Sequence, residues 1–482
     1  MDILYIIGGI VTWVLAAAAM LHVIMDNRQP AKTMAWTLVI LFLPLAGIVL
    51  YLFFGLNTRR QRLVSQRSLD QLSRRSMLSF VDQPDIQVDD SHEQLVELFA
   101  NQNSSLPFRV HDVGIHADGY SFIHSLLGDI AAARHHIHID IYIFEDDALG
   151  NLVADALIDR ARQGVRVRII FDDVGCWKVP SAFFERMREE GVEIHPFLPV
   201  HFPQFTSKAN YRNHRKLIVI DGRVGYVGGM NLALRYVKGT GEQSWRDTML
   251  RLTGPIVYSL QRAFFVDWYF VDRTLMTERV YYPPLPAPTA DGTAPAADRW
   301  NLAQFVTSGP ITPYPEIMQG FVRAITAAHR YIYIETPYFL PNEPVLFALK
   351  TAALAGVDVC ILCPHRSDAR FTEWASRSYL REVSQAGARV YLYEAGFLHS
   401  KLMVVDDNLS TCGSTNVDFR SFENNFESNI FIYGQDVALR LKQLFLNDLS
   451  QSTLLDDVDD WVHPSFPKRL CESLTRMLSP LL

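Results

Sequence analysis

Two stretches of the chain place the same reactive side chains at the same spacing. The first begins Asn213, His214, Arg215, Lys216, continues through four apolar residues to Asp221, and ends in Gly228, Gly229, Met230, Asn231. The second begins His399, Ser400, Lys401, continues through four apolar residues to Asp406, and ends in Gly413, Ser414, Thr415, Asn416. Both fit H-x-K-x4-D, six intervening residues, then G-[GS]-x-N. An ordinary strand with a polar end explains one such copy, but it does not explain the pair. Residues two apart on a strand share a face. His214 and Lys216 therefore point one way, as do His399 and Lys401. Asp221-Gly222 is a turn signal and Val224 to Val227 reads as the returning strand, which brings the small pair and Asn231 back to the level of the histidine. An imidazole, an ammonium, small residues and an amide donor suit a phosphoryl group. The imidazole attacks or moves a proton, while Lys and Asn hold the oxygens.

The elements that position these groups also repeat. Tyr120 to Arg134 has helical apolar spacing, His136 to Phe144 alternates as a strand, Leu149 to Gln163 reads as a helix, and Val165 to Asp172 as a strand. This β-α-β order predicts an α/β sandwich. Ala132 to Asp140 lines up with Ala327 to Glu335 at an offset of 195, Gly164 with Gly356 at 192, and His214 with His399 at 185. A gradually shrinking offset is the mark of a duplicated domain with shorter loops in its second copy. Pairing of the copies about a pseudo-two-fold axis would bring both His-Lys pairs to one cleft. Two such histidines support a two-step displacement: one becomes a phosphohistidine while the other protonates the leaving alkoxide and then deprotonates the incoming nucleophile. The residues leave open which histidine attacks. Lys216, Lys401, Asn231 and Asn416 would orient the non-bridging oxygens, with no metal and no other cofactor required. Each histidine needs a partner on its other ring nitrogen, and Asp247 and Glu427, downstream of the two asparagines, are the candidates.

Five segments follow: two apolar spans in 1–56, a basic and polar connector in 57–106 that is helical around Glu93 to Phe99, a first catalytic half in 107–273, a Pro-rich linker in 274–304, and a second half with a tail in 305–482. Residues 3–25 are apolar apart from His22, and 34–56 carry no charge. Each is long enough to cross a bilayer as a helix. Arg59, Arg60, Arg62, Arg67, Arg74 and Arg75 follow against the single acid Asp70, which predicts a helical hairpin with both ends and the catalytic body on the cytoplasmic side. The net charge of −7 argues against a nucleic-acid partner. His135, His136 and His138 read as surface or packing histidines rather than metal ligands, and Cys360 and Cys363 as residues on opposite faces of a buried strand. In the tail, Leu470, Leu474, Met477 and Leu478 recur at helical spacing, which reads as an apolar face packed on the body rather than on a membrane.

The paired motifs resemble the signature of the phospholipase D superfamily. Within it, Arg28-Gln29-Pro30, Thr33, Trp36, Leu41 to Gly47 and Tyr51 to Gly55 are similar to the N-terminal hairpin of bacterial cardiolipin synthases. So are Tyr142 to Asp147, Thr336 to Pro341 and Gly396 to Lys401, and the resemblance runs from about residue 5 to the C-terminus. It implies an α/β fold: a transmembrane hairpin followed by two duplicated α/β/α sandwich domains. It implies a catalytic set of His214, Lys216, Asp221, His399, Lys401 and Asp406, in which the two aspartates have a structural part, His214 attacks and His399 is the acid/base. The implied reaction joins two phosphatidylglycerols into cardiolipin and releases glycerol, at the bacterial inner membrane. A membrane-anchored phospholipase D that uses water or another alcohol is the alternative. Ser400 stands where an Ala is common, on the strand face away from the catalytic pair, so no consequence is expected. The aromatic and mildly basic stretch Phe197 to Tyr211, with Phe202, Phe205 and Lys208, would admit lipid tails.

Overall fold

The computed structural model describes residues 2–26, 30–55, 88–103, 105–200, 210–241, 244–284 and 301–481. The basic run Arg59 to Arg75, most of the Pro-rich linker, and Phe202, Phe205 and Lys208 lie outside the described residues.

The first apolar segment forms one helix, α1 (Asp2–Asp26). Its stretch Tyr5–Met25 has 21 residues and a mean hydropathy of 2.1, and most of its surface is exposed. At about 1.5 Å per residue it matches a hydrocarbon core of about 30 Å. The second apolar segment is not one helix. It is α2 (Pro30–Phe42), α3 (Pro44–Leu50) and a π-turn over Tyr51–Gly55. Pro44 sets the break: it has no N–H to donate, and it drives Leu43 out of the helical region to φ −131°, ψ 68°. Ala16, Val23, Ile40 and Tyr51 pack together between these pieces.

Two sheets carry the rest of the chain. The first is built from β1 (Asp112–His116), β2 (His136–Ile141), β3 (Arg166–Asp172), β4 (Glu193–Phe197), β5 (Lys216–Ile220), β6 (Val224–Gly228) and β7 (Met249–Thr253), in the order β1-β7-β6-β5-β2-β3-β4. The second is built from β8 (Asn301–Ser308), β9 (Tyr331–Glu335), β10 (Asp358–Pro364), β11 (Arg389–Tyr393), β12 (Leu402–Val405), β13 (Leu409–Gly413) and β14 (Glu427–Tyr433), in the order β8-β14-β13-β12-β9-β10-β11. Each strand of the second sheet stands seven places after its counterpart, and the pairings agree in sense. β2, β3 and β4 run parallel, as do β9, β10 and β11, and the remaining neighbours in both sheets are antiparallel. The second sheet gains an edge strand on each side, Phe108–Val110 and Ser452–Leu454.

Both faces of both sheets are covered, which is why the motif strands are apolar at every position. In β5, Leu217 and Val219 enter a central core, while Ile218 and Ile220 enter an outer one. In β12, Leu402 and Val404 share that central core, while Met403 and Val405 face the opposite way. The central core lies between the two sheets and takes in helices from both halves. α5 (Ile256–Asp272) supplies Val257, Leu260 and Phe264, and the helix Gln435–Leu449 supplies Val437 and Leu441. Each fully buried side chain of this size stabilises the fold by about 1.5–3 kcal/mol.

Three segments depart from the linear division of the chain. The helix predicted in the connector, α4 (Glu93–Asn103), belongs to the core of the second half, where Phe99 packs on Phe431 at 4.6 Å between ring centroids. Phe108–Val110 pairs with β8 and not with the first sheet. Tyr281 and Tyr282, in the stretch read as an exposed linker, are buried in the central core. His136 and His138 are also buried, and Gln261 of α5 bridges them at 2.8 and 2.7 Å. Cys360 and Cys363 lie in β10 and enter different cores, as their spacing predicts.

Candidate active site

The segment that ends in each motif histidine is tied to the other half by backbone. The Phe426 N–H donates to the Arg212 carbonyl at 2.8 Å, and the His214 N–H donates to the Phe426 carbonyl at 2.9 Å. In the same manner Gly396–Leu398 pairs in parallel with Ser244–Arg246, and the His399 N–H donates to the Arg246 carbonyl at 2.7 Å. The next residue along each tie is the acid: Glu427 after Phe426, and Asp247 after Arg246. Each acid is thereby delivered to the histidine of the opposite half. His214 Nδ1 lies 3.0 and 3.1 Å from the two Glu427 oxygens. His399 Nδ1 lies 2.6 Å from Asp247 Oδ2. With Nδ1–H donating to a carboxylate, the lone pair of each imidazole is on Nε2.

The lysines begin or precede the strands that follow. Lys216 Nζ donates to the His214 carbonyl at 2.6 Å and lies 5.1 Å from the centre of the Tyr142 ring. Lys401 Nζ donates to the His399 carbonyl and sits 2.9 Å from His399 Nδ1. Both lysines are buried. Burial pushes Lys216 down to about 7 and lowers Lys401 as well. Burial also lowers His214, opposed by Glu427, and takes His399 down to about 3, helped by Lys401 and opposed by Asp247. Lys401 further depresses His214 and Lys216 depresses His399, so the four groups feel one another across the two halves. Burial raises both carboxyls, but their cationic neighbours outweigh it and hold Glu427 and Asp247 below their ordinary values.

The small pair sets the space around each acid. A Cβ on Gly229 would fall 2.1 Å from Asp247 Oδ1, so a larger residue there would have to displace that carboxylate. The matching residue in the second copy is Ser414, whose hydroxyl donates to Glu427. The asparagines stand nearby with partners of their own. Asn231 accepts from the Ile143 N–H at 3.1 Å and donates to the Tyr236 hydroxyl at 2.7 Å. Asn416 donates to Asp418 at 3.0 Å, and its buried Oδ1 has no hydrogen-bond partner among the described residues. Each amide nitrogen carries a second hydrogen for a ligand oxygen.

Asp221 and Asp406 lie at the far ends of the motif strands, about 17 Å from the lysines by strand rise. Each opens a three-residue turn at positive φ, 54° and 53°. The Asp221 carboxylate accepts the N–H groups of Arg134, His135 and His136 at 2.8, 2.8 and 2.9 Å. That of Asp406 accepts those of His329, Arg330 and Tyr331 at 2.6, 2.8 and 2.9 Å. The two aspartates therefore anchor the start of β2 and of β9, away from the histidines.

Three residues near the site carry no motif signal. The Tyr142 ring meets His214 edge-on at 4.9 Å, Tyr236 links Asn231 to the surroundings of His399, and Trp245 lies 5.2 Å from His399. Tyr142 falls in a stretch that the sequence singles out only by resemblance. Ser400 is buried and sits 2.9 Å from the Thr248 hydroxyl, beside Asp247, so it has a specific partner. Among the described residues no group of three or more His, Cys, Asp or Glu is placed to hold a metal ion. The arrangement offers two imidazole lone pairs and two ammonium groups in a buried site, which suits attack on, and charge stabilisation of, a phosphodiester.

The family model described as "Cardiolipin synthase, PLD-like domain" matches residues 126–268 and 321–449, and the one described as "Phospholipase_D-nuclease N-terminal" matches 14–55. Cardiolipin synthase 2 of Bacillus cereus is 38% identical over 95% of this chain and 88% of its own length. The major cardiolipin synthase of Bacillus subtilis is 35% identical over 96% of each chain. Among solved structures, phosphatidylserine synthase of Haemophilus influenzae shares the fold with a TM-score of 0.61 at 13% identity, covering 82% of this chain and all of that one. The matches span both catalytic halves and the N-terminal segment together, and the chain belongs to the cardiolipin synthases of the phospholipase D superfamily.

Proposed function

We propose that this chain is a phosphatidyltransferase that converts two phosphatidylglycerols into cardiolipin and glycerol. The observation that carries the reading is the reciprocal pairing of each motif histidine with the acid of the other half, in a chain whose full-length relatives are cardiolipin synthases. His214 Nε2 attacks phosphorus, the bond to the glycerol oxygen breaks, and His399 gives that oxygen its proton. A hydroxyl of the second phosphatidylglycerol then returns its proton to His399 and displaces His214, so atoms and charge balance over the cycle. Lys216, Lys401, Asn231 and Asn416 hold the non-bridging oxygens. Burial is the main cause that holds His399 unprotonated in the empty site, and Lys401 and Lys216 add to it; an anionic diester between the two ammonium groups offsets the lysine part and so favours the acid form. Glu427 orients His214, Asp247 orients His399, and Asp221 and Asp406 brace the two sheets. Burial of the site limits attack by water, which would release phosphatidic acid.

The finer organisation belongs to the same reading. The two catalytic halves, built on the sheets of β1 to β7 and of β8 to β14, are related by a pseudo-two-fold axis, which the reciprocal backbone ties support. The apolar segments in 1–56 form a hairpin in the cytoplasmic membrane with the catalytic body on the cytoplasmic side. The length of α1 and the arginine-rich flank of the sequence support this placement. Phosphatidylglycerol and cardiolipin in that membrane are the partners, with no nucleic acid. The test is a product assay on the full chain in mild detergent, with headgroup- and acyl-labelled phosphatidylglycerol and a chelator. Cardiolipin plus free glycerol, lost in His214→Ala and in His399→Ala, is expected. Phosphatidic acid as the main product would make the chain a phospholipase instead.

A further inference from the structure

The C-terminal helix is mounted with its polar side inward. This helix, Phe466–Met477, packs against the helix Arg370–Gln385 through Glu472, Thr475 and Arg476. Glu472 pairs with Arg381. Arg476 pairs with Glu382, donates to Ser378 at 3.0 Å and lies 4.0 Å from the centre of the Tyr379 ring. The opposite side carries Phe466, Leu470, Leu474 and Met477, which are 79, 49, 54 and 77% exposed, followed by exposed Leu478. The stripe was expected against the body; ion pairs hold it away from the body instead.

We infer that this helix is an interfacial membrane helix, lying in the surface of the bilayer with its outward apolar stripe among the acyl chains. Three observations select lipid as the occupant. The same chain carries α1, an exposed apolar helix of bilayer length. Arg469 is exposed in the first turns, beside an exposed Lys468 that pairs with Asp460, where the basic flank of an interfacial helix meets anionic headgroups. The helix also reaches the site. It packs on Arg370–Gln385, and the turn Ser479–Leu481 that follows it rests on the helix Phe419–Glu423, which begins three residues after the motif's Asn416. A stripe seated in lipid would therefore hold the mouth of the second half against the surface that supplies its substrate. A second copy of the chain is a poor occupant. The stripe measures about 18 by 10 Å, well short of the ~800 Å² per partner of a standard interface.

A spin label tests this on the full chain in nanodiscs of anionic lipid. The other four cysteines are buried and Cys471 is exposed, so Cys471→Ser leaves a background for one new label. A nitroxide on Leu474→Cys is expected to be relaxed several-fold more by oxygen than by a water-soluble nickel complex, and one on Lys468→Cys the reverse. Equal or greater nickel access at Leu474→Cys overturns the inference, as does dipolar broadening between labels of two chains. This readout does not depend on which lipid product the enzyme makes. In vesicles, Leu470→Glu with Leu474→Glu should cut turnover of long-chain phosphatidylglycerol about tenfold and leave a monomeric short-chain substrate within twofold. Equal losses on both substrates would assign the stripe to folding and overturn it.

Discussion

The two halves of this molecule share one strand order, one aspartate-braced turn and one His-Lys pair, yet they build the support of their histidines differently. The first half offers a short acid, Asp247, which closes to 2.6 Å of His399 because Gly229 leaves room beside it. The second offers a longer acid, Glu427, which meets His214 at 3.0 and 3.1 Å and takes a further hydrogen bond from Ser414. Acid length and the small residue next to it differ together between the halves. The electrostatic outcomes differ as well. Lys401 touches the ring nitrogen of His399 and helps hold it down to about 3, whereas Lys216 bonds the backbone of His214 and leans on Tyr142. A poorly basic imidazole is the better proton donor once charged and a more basic one the better nucleophile, which favours His399 as acid/base and His214 as attacker.

The comparison is broken most sharply by trapping the intermediate. His399→Ala should lose at least about a thousandfold in turnover while still accumulating a phosphatidyl adduct on His214, found by peptide mass spectrometry. An adduct on His399 in the reciprocal variant, His214→Ala, would reverse the roles. Next in size are the acids. Glu427→Gln should slow formation of the adduct, and Asp247→Asn its resolution, each by about 100-fold; rapid-quench measurement of the two phases separates them, and equal effects on both phases would erase the asymmetry.

The pH profile sharpens the contrast between the lysines. Lys216 is protonated below about pH 7 and loses its proton above it. His214 stays neutral on the alkaline side, while the charged form of His399 that protonates the leaving oxygen is lost along with the Lys216 ammonium as pH rises. kcat/KM should therefore fall at least about tenfold per pH unit above about 7, and the limb for kcat should move higher because bound phosphodiester favours both charged groups. A flat profile to pH 9 would remove Lys216 from charge stabilisation. The smallest effects concern the small pair. Gly229→Ser should cost about tenfold in kcat by displacing Asp247, whereas Ser414→Gly removes one hydrogen bond, worth ~1 kcal/mol or about fivefold. Steady-state kinetics on both variants checks the ranking, and a harmless Gly229→Ser would uncouple acid from neighbour.

Much of this was legible because it is local or periodic. The apolar runs after Lys216 and Lys401 demand strands covered on both faces, and the shrinking offset between the copies demands two equivalent sheets; both are present. Asp247 and Glu427 were recognisable as partners for the histidines. The residues did not say that each would serve the opposite half, because Asp247 is 152 residues from His399 and Glu427 is 213 from His214. Hydropathy counted residues 34–56 as one span because it sums composition, while Pro44 breaks the helix through a backbone clash that composition does not register.

The sequence by itself determined the reactive groups, their strands and the turn that returns each asparagine to its histidine, since those follow from side-chain alternation over fewer than 20 residues. The tertiary structure decided what depends on which surfaces meet. It set the exchange of acids between halves, the transfer of α4 and Phe108–Val110 to the second half, and the outward turn of the C-terminal apolar stripe. The amphipathic pattern of that last helix states only that its two sides differ. Which side faces the body was set by Arg381 and Glu382, more distant in sequence than any helical pattern reaches, whose half-buried charges pair with Glu472 and Arg476.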